Sequence, residues 1–454
     1  MDNSTSNSAS NSTSNLPPKA GGGTTATTTT ATTATTATVA AESAIAIRED
    51  RRERIAGISY VAVGAFIAFI FGLSTRSGLN SAFGLSGGDR DSAFYLTLPA
   101  RSTLLILGAV CIAIGVYQIK VHFTRRSLAT IAVATIATFA FLVWATRGAD
   151  FSLVGMLQTA VSRSTPLALG AMAGILCEKA GVVNIAIEGM MLFAAFGGVI
   201  GASATGNLWV GLLFGLASGA ALAYLHAGLS ITFRVDQIIS GTVLNIFALG
   251  ITGFLASGLL RNYPDLNRAG TFRQMKIPVL SQIPVLGTVL FRQNIFVYLM
   301  YILVPLLTWA LVRTRWGLRI RSVGEHPKAA DTVGINVLRV RYRSVIMGGA
   351  MAGLAGSFLS LGSLGSFESN MTAGRGYIAL AAMIFGRWNP VGALGAALLF
   401  GFAEALQTKL AIINTPIPSQ FLLMAPYAVT LLVVAGFVGH SRAPAADGVP
   451  YVKG

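Results

Sequence analysis

The chain has 454 residues, 53% hydrophobic and only 11% charged, with a mean hydropathy of +0.66. Soluble domains carry about 25% charged residues, so this chain has too little charge to cover a water-facing surface and belongs in lipid. A net charge of +16 could suggest nucleic acid, but the basic residues sit at the ends of apolar runs, as the positive-inside rule expects of a membrane protein.

Residues 1–40 are low-complexity Ser, Thr, Ala and Asn with Asp2 and Lys19 as their only charges, a composition that predicts disorder. No basic stretch followed by an apolar one opens the chain, so no signal peptide is expected. Asn-Ser-Thr sequons at 3–5 and 11–13 matter only if this end is extracellular in a eukaryote. The run "REDRRER" (48–54) forms a charged collar, and residues 1–55 are assigned to a cytoplasmic tail.

Apolar runs of about 20 residues, the length that crosses a bilayer, then follow. Spans are predicted near 57–73, 98–119, 127–146, 151–177, 181–204, 208–233, 237–260, 294–312 and 344–363, with a broken pair over 376–413 and a last span at 420–438. The expected fold is therefore an all-α polytopic membrane protein of about 10–11 spans, broken or half helices included. N-terminal spans fill 56–150, a transmembrane core 151–440, and a short tail 441–454. Basic clusters precede the first span (Arg48, Arg51, Arg52, Arg54), follow the second (Lys120, Arg125, Arg126) and crowd the loop 313–343. Alternate crossings from a cytoplasmic N-terminus put all three on one side, which supports that orientation. The stretch 261–293 falls outside on this count and, rich in Pro and aromatics, is predicted to be a folded external segment.

Three stretches carry unusual chemistry for a membrane. In "GVVNIAIEGMML" (181–192), Asn184 and Glu188 are four apart and would share a helical face, lining a polar interior or capping a helix break. An intramembrane carboxylate costs a few kcal/mol or more. Its alternative role is structural, accepting backbone amides freed by a kink at Gly189. In "TAGRGYIALAAMIFGRWNPVGALGAALLFG" (372–401), the glycines and Pro390 predict two half-helices meeting at "GRWNP" (386–390). Such breaks border a cavity or lie buried in protein. Glu404 follows as a second costly carboxylate. In the basic loop, "HPKAADTVGI" (326–335) predicts a short helix, with Pro327 in its first turn and Gly334 as its stop.

Absences narrow the chemistry. No G-x-x-x-x-G-K-[ST] cradle occurs, so any ATP hydrolysis must sit on another chain. Cys111 and Cys177 have no CxxC spacing, the four histidines are scattered, and no metal or cofactor site is expected.

The segments "EKAGVVNIAIEGMML" (178–192), "RVDQIISGTVLN" (234–245), "GLRIRSVGEHPKAADTVGI" (317–335) and "IALAAMIFGRWNPVGALGAALLFG" (378–401) resemble the inner-membrane permeases of bacterial ABC importers, in the branch of nucleoside and simple-sugar uptake systems. The resemblance covers about 150–440, in order; the Ser/Thr-rich tail lies outside its pattern. It implies a homo- or heterodimer of permeases, two ATPase subunits that bind ATP and Mg, an extracytoplasmic binding lipoprotein, and a plasma-membrane location. It makes the helix bearing His326, Pro327, Ala329, Ala330 and Gly334 the coupling helix that docks into the ATPase. It also sets the 184–188 segment and the 386–390 break along a translocation path. There Asn184, Glu188, Asn245, Phe247, Trp388 and Asn389 are the candidates, with stacking and amide hydrogen bonds expected for a nucleoside. The competing class is a proton- or ion-coupled secondary transporter using Glu188 or Glu404 as its relay.

Overall fold

The computed structural model describes residues 50–85, 94–123, 125–413, 415, 418, 420, 421, 424 and 442–453. Of the tail expected to be disordered over 1–55, residues 1–49 lie outside them while 50–55 are helical, the apolar span that follows extending its helix back through the charged collar; the expected final span at 420–438 also lies outside them apart from Gln420, Phe421 and Met424. Among the described residues, ten helices are long and apolar enough to cross a membrane.

In chain order the elements are α1 (Asp50–Leu73), β1 (Asn80–Gly84), β2 (Tyr95–Pro99), α2 (Ala100–Lys120), α3 (Arg126–Ala145), β3 (Asp150–Ser152) and α4 (Leu153–Glu178). There follow α5 (Ile187–Thr205), α6 (Leu208–Thr232), α7 (Gln237–Leu260), β4 (Met275–Lys276), α8 (Leu286–Phe291), β5 (Arg292–Gln293) and α9 (Ile295–Arg313). The last are α10 (Arg315–Glu325), α11 (Pro327–Thr332), α12 (Val337–Leu364), α13 (Arg375–Phe385) and α14 (Pro390–Ile412). Helices α1, α6, α7 and α12 each end in a π-helical turn, a geometry uncommon in helices and frequent at functional sites.

The chain forms two compact units. In the first, α1 meets α2 through facing glycines. A Cβ on Gly64 would stand 2.6 Å from the Gly108 carbonyl oxygen, and one on Gly108 2.8 Å from that of Gly64. Apolar helices in lipid gain no hydrophobic drive from meeting, so close backbone approach through small residues is what binds them. Tyr60 adds a 2.5 Å hydroxyl contact to Thr130 of α3.

The second unit is built around α4, which is buried over most of its length and packs against α12, α13 and α14; α5 packs against α6, α7 and α12. Small residues again set the distances: Gly401 faces the carbonyl of Ala160, and Gly356 abuts the backbone of Met191. Strand β1 pairs antiparallel with β2 and parallel with β3. The stretch 261–293 is folded, as expected: a 3₁₀ turn at Pro264–Asn267, the β4–β5 pair and α8. Asn267 ties it to Phe367, accepting from its N–H at 2.7 Å and donating to its carbonyl at 3.2 Å.

Candidate functional site

The predicted helix over 181–204 starts six residues late. After α4 ends at Glu178, Gly181 turns with φ +80°, residues 182–184 form no regular structure, 185–186 turn again, and α5 begins only at Ile187. Asn184 and Glu188 therefore do not share a helical face. The reason is tertiary: side chains of neighbouring helices take the hydrogen bonds that an α-helical turn would have made. The Val183 N–H donates to Gln237 Oε1 at 2.7 Å. His226 Nε2 lies 3.0 Å from the Val183 carbonyl, which makes it the protonated nitrogen, while Nδ1 meets the Ser240 hydroxyl at 3.1 Å. Irregular backbone at membrane depth survives where protein covers it in this way. Asn184 is fully buried, donating weakly towards Cys177 Sγ and Met190 Sδ, and its Oδ1 has no partner.

Asn245 of α7 is a clamp. Its Oδ1 accepts from the Gly189 N–H at 2.8 Å, and its Nδ2 donates to the Ile185 carbonyl at 2.9 Å and the Tyr377 hydroxyl at 3.0 Å. One amide thus fixes both sides of the α5 start. Glu188 does accept backbone amides, but not from a kink at Gly189: α5 is unbroken there, and the donors belong to α13. Oε1 takes the Gly374 N–H at 2.7 Å and Oε2 the Gly376 N–H at 2.5 Å. An anion at a helix N-terminus also meets the positive end of the helix dipole. A Cβ on Gly376 would stand 2.5 Å from the Glu188 backbone, so only glycine allows this approach.

The expected break at "GRWNP" is present, with one short and one long partner. Helix α13 has 11 residues, about 17 Å or half a membrane, while α14 has 23. Arg387 and Trp388 both take left-handed backbone (φ +56° and +53°), and Asn389 caps α14 by accepting from the Val391 N–H at 2.9 Å. Trp388 is buried, and its Nε1 donates to Glu178 Oε2 at 2.6 Å. Phe247 stands apart from this group, half exposed beside a cavity of about 560 Å³ walled by Tyr224, Phe233 and Tyr342. Glu404 is held by two guanidinium groups, Arg163 at 3.1 Å and Arg375 at 2.5 Å. Among the described residues no group of His, Cys, Asp and Glu could hold a metal.

Helix α11 is capped as its sequence implies. His326 Nδ1 accepts from the Ala329 N–H at 3.4 Å, Pro327 occupies the first turn, and Gly334 ends the motif at φ +82°. Ala329 is exposed, while Ala330 packs with Val323, Val337 and Tyr451. Tyr451 belongs to the C-terminal segment, which sequence reasoning assigned no role. That segment threads under the loop: the Ala446 N–H donates to the Gly324 carbonyl at 2.8 Å, and Arg341 Nη1 to that of Val449 at 2.9 Å. The Asp447 carboxyl meets that of Glu178. Burial lifts the Asp447 pKa to about 6, against the downward pull of the hydrogen bonds from Glu178 and the Gly448 N–H and of the Arg341 charge. The charge pattern of residues 442–453 gave no hint of it. Between α11 and this segment lies a groove of about 700 Å³, lined by Lys328, Asp331, Pro450 and Tyr451 among others.

Ten apolar helices among the described residues, with a buried irregular entry to α5 and a half-helix clasped by a carboxylate, make this a multi-pass membrane protein with a polar interior. The chain belongs to the family described as branched-chain amino acid transport system / permease component, which matches residues 156–434. It is 42% identical over 303 residues to the guanosine ABC transporter permease protein NupQ of Bacillus subtilis, covering 64% of this chain and 94% of that one. It is 40% identical over 319 residues to the nucleoside ABC transporter permease protein NupC of Lactococcus lactis, covering 66% and 99%. It is 39% identical over 259 residues to a putative glucose ABC transporter permease, TsgC13, of Haloferax volcanii, covering 56% and 77%. No solved structure matches.

Proposed function

We propose that this permease is the membrane-spanning subunit of an ATP-driven importer whose substrate is a nucleoside. It works beside a second permease and receives substrate from an extracytoplasmic binding protein. ATP and Mg are bound by separate ATPase chains. The observation that carries the substrate class is the match to NupQ and NupC along nearly their full lengths; the match to TsgC13 keeps simple sugars as the related class. In this reading the N-terminus and α11 face the cytoplasm, and α11 is the coupling helix. Its buried side reaches Tyr451, and the same C-terminal segment reaches Glu178 and, through it, Trp388 at the α13–α14 break. A push on α11 is therefore delivered to the broken helices as rigid-body motion.

The proton-coupled alternative is not favoured. Both oxygens of Glu188 are committed to backbone amides, and Glu404 is flanked by two arginines; a relay needs a carboxylate free to release and rebind its proton. The test is Ala329→Arg, placed on the exposed side of α11. The expected result is loss of nucleoside uptake and of ATPase co-purification with membrane insertion intact. Normal uptake would remove α11 from the coupling role.

A further inference from the structure

The first half of α4, the segment between α7 and α9, the π-helical end of α12 and the start of α13 together enclose a partly open cavity of about 230 Å³. Its lining contains none of the residues that the sequence nominated for substrate, although Arg375 stands between Gly374 and Gly376, the two donors to Glu188. Its wall is hydroxyl, amide and guanidinium: Ser162 and Arg163 on α4, Gln274 between α7 and α9, Ser363 on α12, and Arg375 on α13. Among the described residues the side chains of Ser162, Gln274 and Ser363 make no hydrogen bond, so their donors and acceptors are unspent. Phe358 supplies an apolar wall.

One carboxylate, Glu404, faces both guanidiniums of this cavity. Arg375 donates through Nη2 to Glu404 and through Nη1 to the carbonyls of Met371 and Thr372. Arg163 shares the same Glu404 oxygen. One carboxylate for two guanidiniums leaves the wall a net positive charge, which makes an anion the rival occupant; the unspent hydroxyls and amide beside the apolar face of Phe358 match a sugar ring instead. Size agrees: drug-sized ligands occupy pockets of about 300–1,000 Å³, and this one fits a single small ring. Sugar rings present hydroxyls at their edge and C–H groups on their face, and the wall offers partners for both.

We infer that this cavity is the pentose subsite, binding the ribose hydroxyls of a nucleoside while the base projects from its open side. The inference rests on the nucleoside-importer reading. Its test uses the purified permease–ATPase complex without the binding protein, carrying Ser162→Cys or, independently, Ser363→Cys. Cys111 and Cys177 are fully buried and give a low background. Labelling by a membrane-impermeant maleimide is followed with guanosine, ribose, guanine or inorganic phosphate present. Guanosine and ribose at about ten times their half-protecting concentration should slow labelling about tenfold, while guanine and phosphate should not.

Protection by guanine alone, by phosphate alone, or by none of the four at either position overturns the subsite. Uptake by the reconstituted importer, with its binding protein, separates the two failures. Nucleoside uptake without protection removes the subsite and leaves the function standing; absence of ATP-dependent nucleoside uptake removes the function itself.

Discussion

Glu188 and Asn245 each solve the same problem, a backbone that leaves its helix inside the membrane and must find partners there. Asn245 satisfies the carbonyl of Ile185 and the N–H of Gly189 with one side chain; Glu188 satisfies two N–H groups of α13. Glu188→Gln replaces one acceptor oxygen by an NH₂ that faces another N–H. Leaving a buried donor unpaired costs about 1–3 kcal/mol. The detergent-solubilised variant should therefore melt at lower temperature, while uptake keeps the pH profile of the parent; a profile that loses a titrating step would restore a proton-carrying role to Glu188. Asn245→Leu removes two donors and an acceptor and should lower stability further, read in the same melting experiment. Both polar residues stood out in the sequence because polar groups are rare in such runs. Their partners did not, since Gly374 and Gly376 lie 186 and 188 residues away and no local pattern encodes that pairing.

At the scale of elements, hydropathy located the long helices well, because each apolar run is bounded by charges or by Gly and Pro. It failed at 181–186, where the residues are apolar enough for a helix but Gly181 at φ +80° and the side chains of Gln237, His226 and Asn245 hold the chain in an irregular, non-helical path. It also passed over residues 442–453, whose role depends on contacts with α10, α11 and α12 rather than on composition. The docking of that segment depends on pH. The Asp447 pKa, about 6 when docked, lies above the ordinary aspartate range near 4, so the docked form binds a proton that the released form gives up. Docking is strongest below that ordinary range and weakens as pH climbs through about 6. Amide exchange over 446–452, corrected for intrinsic rates, should be more protected at pH 5 than at pH 8. Asp447→Asn should shrink that difference, and equal protection in the parent at both values would show that the paired carboxyls do not govern docking.

For the whole molecule, the family match and the compact second unit cover much the same stretch of chain, 156–434 within a unit that includes 142–454. The proposed path of force runs through this unit from end to end: α11, Tyr451, Asp447, Glu178, Trp388 and the α13–α14 break. Its three links between elements, α11 to Tyr451, Asp447 to Glu178 and Glu178 to Trp388, each join residues more than 100 apart in sequence, which is why a reading by local motifs could name α11 and the break separately but not the segment that joins them.

The Glu188 clasp also imposes an order on biosynthesis. When α5 leaves the ribosome its carboxylate has no partner, because the amides of Gly374 and Gly376 have yet to be made. At about 5–20 residues per second the wait is on the order of 10–40 seconds. Through that interval an acid sits in a nascent bundle with nothing to hold it. Ribosome-bound chains stopped near residue 360 should remain cross-linkable to the insertion machinery through a probe at Met191, whereas chains extended to about 440, long enough to bring Gly374 and Gly376 out of the ribosome, should release. Equal cross-linking at both lengths would show that the span settles without its clasp.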